Sequence, residues 1–401
     1  MAALFQGVTP RRDASGRVPI GLGDHALGAF MGAVWIAWLL GTVRDLGFSR
    51  DEGFYFHAAQ EYAGWFKTLF AQGFAVASER GVVDRHWAAN HEHPSLVKSL
   101  FALSWLFFHK RWHVFADAST AFRLPGIAFA GVAMWVTYLF GARVYSRRAG
   151  IAAAWLLVLA PNVAYHCHLA CFDVPIMAMW VLCIYVYWRG AAEGGLGWAL
   201  LAGLVYGLTL ETKHNAWILP AVFVPHALVV HWRRFLRGAD AGVVPLPANL
   251  LAMATLGPLV FLALWPWLWN DTLQRVGEYI GFHLNHEYYN IEFLRRNYWG
   301  PPSPKLYAPV MILATIPSVT LLLFLVGAFD RLSALVARVA RAAGAMELPS
   351  WLRAFGAPRR RPTVGDRRAE PDLLFFLAFG AALGPFFLER TPVFGGTKHW
   401  M

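Results

Sequence analysis

Hydrophobic positions dominate this chain and fall into long runs broken by short polar segments. The runs cover roughly 25–43, 121–141, 149–166, 174–188, 198–211, 216–231, 247–267, 306–328 and 371–388. About 20 apolar residues are needed for a helix to cross a bilayer core, so each run predicts a spanning helix; those at 174–188, 198–211 and 216–231 are short for the task. The run at 95–109 is shorter still and carries Lys98, which predicts a helix lying in or dipping into the interface. Two other segments have helical apolar faces without spanning length: Phe54, Tyr55, Ala58, Tyr62, Trp65, Phe66 and Leu69, and Leu273, Val276, Ile280 and Leu284. Both predict helices resting on the lipid surface. The expected fold class is an all-α polytopic membrane protein with juxtamembrane amphipathic helices.

Composition sharpens this. Only 15% of the 401 residues are charged and 57% are hydrophobic, against about 25% charged in an ordinary soluble domain. The 19 Trp and 30 Phe suit rings anchored at membrane interfaces. The net charge of +11 sits mostly between apolar runs, so anionic lipid headgroups are the expected partner and nucleic acid is not. Three cysteines, Cys167, Cys171 and Cys183, make no disulfide framework.

Basic loops set the expected orientation. Arg143, Arg147 and Arg148 form one cluster, Arg233, Arg234 and Arg237 another, and segment 329–370 holds nine arginines. Nine spans with residues 1–24, including Arg11, Arg12 and Arg17, on the cytoplasmic side put all of these in the cytoplasm. Segments 44–120, 167–173, 211–215, 268–305 and 389–401 then share the outer face, and they hold nearly all the unusual polar residues. The expected domains are therefore a cytoplasmic segment 1–24, a transmembrane core 25–328, a basic cytoplasmic loop 329–370, and a further span with the start of an outer loop at 371–401; further spans are expected beyond Met401.

The chemistry candidates lie on that outer face. Asp51 and Glu52 follow Ser49 and Arg50. The spacing Ser49 to Glu52 fits a capping box, which explains the acids without function; the alternative is a general base at the membrane surface. Lys98, four residues after Pro94, is either a snorkelling lysine or a cation for a phosphate. Arg123 is either an interface anchor or a phosphate contact. Asp173 sits at a span end before Pro175, as a helix cap or as a functional acid. Lys213, His214 and Asn215 form the next outer turn; Lys398 and His399 lie on the same face. His91 and His93 lack a third placed ligand, and His166, His168, Cys167 and Cys171 sit in too short a loop to face one ion. No essential metal is expected, a divalent ion being the alternative. Loop 268–305 adds Arg275, Glu278, His283, His286, Glu287, Arg295 and Arg296 among tyrosines.

The series Asp51-Glu52…Phe56…Ala59…Tyr62…Trp65-Phe66, His93-Pro94-x-Leu96-x-Lys98 and Arg123-Leu124-Pro125 resembles the protein O-mannosyltransferase family of GT-C glycosyltransferases. Asp173 and the Thr212-Lys213 turn are also similar to the bacterial lipid A aminoarabinose transferases. The likeness runs over about 25–330 and is strongest in 44–125. It departs in having His93-Pro94-Ser95 for the usual His-Pro-Pro and in showing no soluble MIR-type domain. The resemblance implies a sugar donor on polyprenyl phosphate, inverting transfer to a hydroxyl of a protein, lipid or glycan, and Asp51 as base. It further implies that Glu52 and Asp173 position the acceptor or the base and that Lys98, Arg123 and Lys213 meet the phosphate; His93, His214 and Arg275, on the same face, are expected to help bind substrate. The expected location is a bacterial inner membrane with the site facing the periplasm. A secondary transporter would carry ionisable groups near the midplane and repeated halves, neither of which is evident; a non-catalytic scaffold is the remaining alternative.

Overall fold

The structure is a computed structural model that describes residues 17–240, 246–342 and 369–393. Arg11, Arg12, most of the basic loop, Lys398 and His399 lie outside the described residues. The architecture is all-α, with fifteen α-helices and one small hairpin among the described residues. It is that of a polytopic membrane protein, as the apolar runs predict.

Among the described residues three helices are long and apolar enough to cross a membrane: α1 (Leu22–Thr42), α5 (Ala118–Val144) and α8 (Asp173–Glu193). Between α1 and α5 lie α2 (Arg50–Ala77), α3 (Arg80–Trp87) and α4 (Leu96–Ser104), the last continuing into a π-helical turn, Trp105–Arg111. After α5 come α6 (Arg147–Val158) and α7 (Pro161–Cys167); after α8, α9 (Leu196–Leu210), α10 (Pro220–Asp240), α11 (Ala248–Leu264) and α12 (Thr272–Leu284). The chain closes with hairpin β1 (Ile291–Phe293) and β2 (Arg296–Tyr298), then α13 (Tyr307–Thr315), α14 (Ser318–Ala342) and α15 (Ala369–Leu383).

Proline breaks the runs that sequence length alone presents as continuous. A proline lacks a backbone donor and drives the residue before it out of the helical region. Ala160 before Pro161 has ψ 122°, and α6 and α7 meet at a 71° bend. Ile316 before Pro317 has ψ 134°, and α13 and α14 meet at 119°. The expected single spans 149–166 and 306–328 are thus bent pairs; counting each pair as one span gives up to five. The expected span 216–231 begins as a 3-10 turn, His214–Ile218, and becomes α-helical only at Pro220.

Helix α2 also departs from expectation. Its aromatic face is covered by protein: Tyr55, Ala58, Ala59, Tyr62 and Trp65 are buried, packed in one cluster with Trp87 of α3, Val97 and Phe101 of α4, and Trp265 to Leu268. Small alanines beside the rings let α4 approach closely, so this face forms a second core; Phe54, Phe70 and Phe74 stay exposed instead. On α12 the expected apolar face is outward, with Leu273 90% and Leu284 75% exposed.

Side-chain links define two ends of the bundle. At one, Arg147 and Tyr138 bond Asp24, Arg143 reaches Glu193, and Tyr145 donates to Asp372. At the other, Thr42 meets His168 at 2.8 Å, Arg123 meets Glu52, and Ser95 bridges Glu211 to the carbonyl of Leu264. The basic residues Arg143 and Arg147 therefore stand at the end opposite these latter contacts.

Candidate active site

A cavity of about 1040 Å³ opens at the second end, between the transmembrane core and the α2–α4 layer. All five segments expected on one face contribute to its wall: Arg50, Asp51 and His93; Phe172 and Asp173; Lys213 to Asn215; Phe282 to His286; and Thr391 with Pro392. Its size is at the upper end for pockets that hold small ligands.

Three acids line it, Asp51, Glu92 and Asp173, and two of them start helices. Asp51 lies in the first turn of α2 and Asp173 in the first turn of α8, where the positive end of a helix dipole favours a carboxylate. Asp173 is buried and its Oδ1 lies 2.6 Å from the Lys213 Nζ. Lys213 itself is brought there because α9 ends at Leu210 and the chain turns into a 3-10 helix at His214. Arg50 adds a second cation to the wall, its guanidinium 6.0 Å from the Phe54 ring.

Four of the expected site residues, Glu52, Lys98, Arg123 and Arg275, do not line the cavity. Each is consumed by the scaffold. Glu52 is fully buried: Oε1 accepts from Arg123 Nε at 2.7 Å and Ala170 N at 2.9 Å, and Oε2 from Arg123 Nη2 at 2.9 Å and Ser49 N at 2.9 Å. Arg123 spends its remaining donors on the carbonyls of Val43, Leu46 and Gly47. The pair therefore fixes the α1–α2 turn and the start of α5, and leaves Asp51 next door facing the cavity.

Lys98 lies beneath the loop that precedes α4. Its ammonium donates to the carbonyls of Asn90 and, at 2.8 Å, His93, and lies 5.1 Å from the Tyr62 ring centre. Burial brings it down to about 7, against which the carboxylates of Glu92 and Glu211 pull upward. The loop it holds has Asn90 at φ 54°, a conformation asparagine tolerates better than most side chains. Arg275 donates to the Trp267 carbonyl at 2.6 Å and to Asp84 at 2.7 Å, tying α12 to α3.

The histidines divide. His91 stacks on Trp267 at 4.6 Å. His93, His214 and His283 converge in the cavity wall, each with a ring nitrogen within 4.8 Å of the others. The rings of His214 and His283 stack at 3.9 Å. His283 Nε2 donates to the Glu92 carbonyl at 2.9 Å. Burial holds His93 well below its usual range, reinforced by the nearby Lys98 charge, and burial brings His283 down to about 4. Both are neutral at pH 7. Arg50 and the Pro385-to-Pro392 wall were not among the expected site residues; Arg50 was visible only as the neighbour of Asp51, and the wall carries no titratable signature.

A comparison with known protein families gives one match. Residues 100–267 match the dolichyl-phosphate-mannose-protein mannosyltransferase family. The resemblance seen in the motifs is thereby supported over that stretch, and the match indicates a membrane glycosyltransferase of the mannosyltransferase type. The mannosyltransferase match contains Arg123, Asp173, Lys213 and His214, while Asp51 and His93 lie before it and His283 after it. Neither the curated proteins nor the solved structures give a match.

Proposed function

We propose that the protein transfers a sugar, mannose-like, from a polyprenyl-phosphate donor to a hydroxyl acceptor, with Asp51 as general base. The observation that carries this reading is the sharing of one cavity wall by Asp51, Arg50 and the Asp173–Lys213 pair. In the reaction the acceptor oxygen attacks the anomeric carbon as its proton passes to the Asp51 carboxylate. The bond from that carbon to the phosphate oxygen breaks, and polyprenyl phosphate leaves with the electron pair. A single displacement of this kind inverts the anomeric centre. Base and leaving group need opposite charges close by: Arg50 and Lys213 supply the cationic side, with Asp173 holding the Lys213 ammonium in place.

The acceptor is a protein Ser or Thr, a lipid or a glycan. The site faces the periplasm of a bacterial inner membrane, a reading supported by the basic residues Arg143 and Arg147 at the opposite end of the bundle.

Membranes carrying the full-length protein, supplied with radiolabelled polyprenyl-phosphate sugar, test the base. Asp51→Asn lowers transfer by about 10²–10⁴-fold, the range of a general base; transfer at the wild-type level removes Asp51 from the mechanism. Mass spectrometry of glycoproteins and lipids from a deletion strain names the acceptor.

A further inference from the structure

The three-histidine cluster goes unused in the transfer chemistry above. Its members come from three separate elements: His93 from the loop before α4, His214 from the 3-10 turn after α9, and His283 from the last turn of α12. Nothing in the chain's helical periodicity brings such residues together, and each is held in place by an independent contact. Lys98 fixes the His93 backbone. His283 is oriented by the Glu92 carbonyl. His214 follows Lys213, whose ammonium is anchored on Asp173.

We infer that His93, His214 and His283 form a transition-metal site, with Zn²⁺ the best-matched ion, whose fourth position opens into the cavity. Three imidazole nitrogens suit zinc and its first-row neighbours, whereas magnesium, calcium and manganese favour oxygen. Three protein ligands with one open position is the arrangement of zinc sites that take a water or a substrate atom as the fourth ligand.

The donor atoms fit with small adjustments. Zinc to nitrogen bonds of 2.0–2.1 Å in a tetrahedron set the nitrogens about 3.4 Å apart; here they lie within 4.8 Å of one another, a difference that rotation of the rings closes. With Nε2 of His283 donating to a carbonyl, its Nδ1 carries the lone pair, the outer-shell arrangement common to metal-bound histidine. The Nδ1 of His93 is buried and has no hydrogen-bond partner among the described residues. A buried polar atom without a partner is unfavourable, and ligation removes the penalty. His214 stacks on His283 at 3.9 Å, which holds the two rings side by side at the site. An ion here borders the same cavity as Asp51 and Lys213, where its open position would take an oxygen, from water or from a phosphate.

This inference does not rest on the transferase reading: metal binding is read without any sugar donor. The full-length protein in detergent is stripped with a chelator, desalted and titrated with Zn²⁺ alone. One zinc per chain is expected, measured by elemental analysis, with Co²⁺ in its place giving the absorption of a tetrahedral nitrogen site. His93→Gln, His214→Gln and His283→Gln each weaken zinc binding by more than about 100-fold, beyond the 10–100-fold typical of losing an outer-shell partner, and His91→Gln, on the same loop but stacked on Trp267, binds like the wild type. A His283→Gln protein that binds zinc as tightly as the wild type overturns the site. So does a wild-type melting temperature that does not rise with Zn²⁺, a readout that needs no variant to fold.

Discussion

Glu52 illustrates how a residue suited to chemistry is taken by the fold. Its four hydrogen bonds leave no lone pair facing the cavity, and its partner Arg123 is 2% exposed. Removing one member leaves the other charge buried and unpaired, which costs about 3–5 kcal/mol. Arg123→Met and Glu52→Leu should each lower thermal stability in detergent by that order, while the double variant recovers part of the loss. Additive losses in the double variant would show that the pair is not coupled. The capping-box spacing from Ser49 made the scaffold role readable, because Glu52 returns to the Ser49 amide. The role of Lys98 was not readable in the same way. A lysine one turn into an apolar helix can snorkel or turn inward, and here the loop carbonyls of Asn90 and His93, with the nearby Glu92 and Glu211 carboxylates, make the inward choice favourable. Lys98→Met should therefore loosen the loop that carries His93, seen as faster proteolysis or amide exchange there; unchanged exchange would assign the loop's order to other contacts.

Helix packing is the next scale, and glycine governs one seam. Gly203 and Gly207 lie one turn apart on α9, and a Cβ on either would meet the α11 backbone, at 2.6 Å from the Ala252 carbonyl oxygen and 2.8 Å from that of Gly257 respectively. In lipid, where hydrophobic burial does not drive helices together, such close backbone approach is what holds them. Gly207→Ile should separate α9 from α11 and shift Lys213 with them, lowering folded yield in detergent. A variant with wild-type yield and melting would show that the seam relaxes freely. The spacing was in the sequence, but its partner surface was not. The same division holds for the breaks: Pro161 and Pro317 mark where a run ends, while the 71° and 119° bends depend on packing. The hairpin was hidden because its turn residues, Leu294 and Arg295, take positive φ values of 51° and 64°, where glycine or asparagine is the usual signal.

Across the whole molecule, loops with little excess basic charge gather at one end. The five segments low in net basic bias all reach the cavity, and the cluster around Arg143 and Arg147 lies at the other end. What charge bias could not show was which side chains converge there, since His93, His214 and His283 come from segments far apart in sequence. Single cysteines at Arg295 and at Ser146, in a chain whose three native cysteines are replaced, should react with a membrane-impermeant maleimide from opposite sides of sealed vesicles. Labelling of both from one side would refute the two-ended topology.

Helix α12 joins these scales. Its inner side supplies Phe282, His283 and Leu284 to the cavity, while Leu273, 90% exposed, faces outward. Such a helix settles where its greasy side meets acyl chains. Helix α12 is thus held on one side by protein and on the other by whatever amphiphile surrounds it, which makes the surrounding lipid a component of the cavity wall. Exchanging native lipids for short-chain detergent should unseat this helix before the bundle melts, separating loosening of the cavity wall from loss of fold.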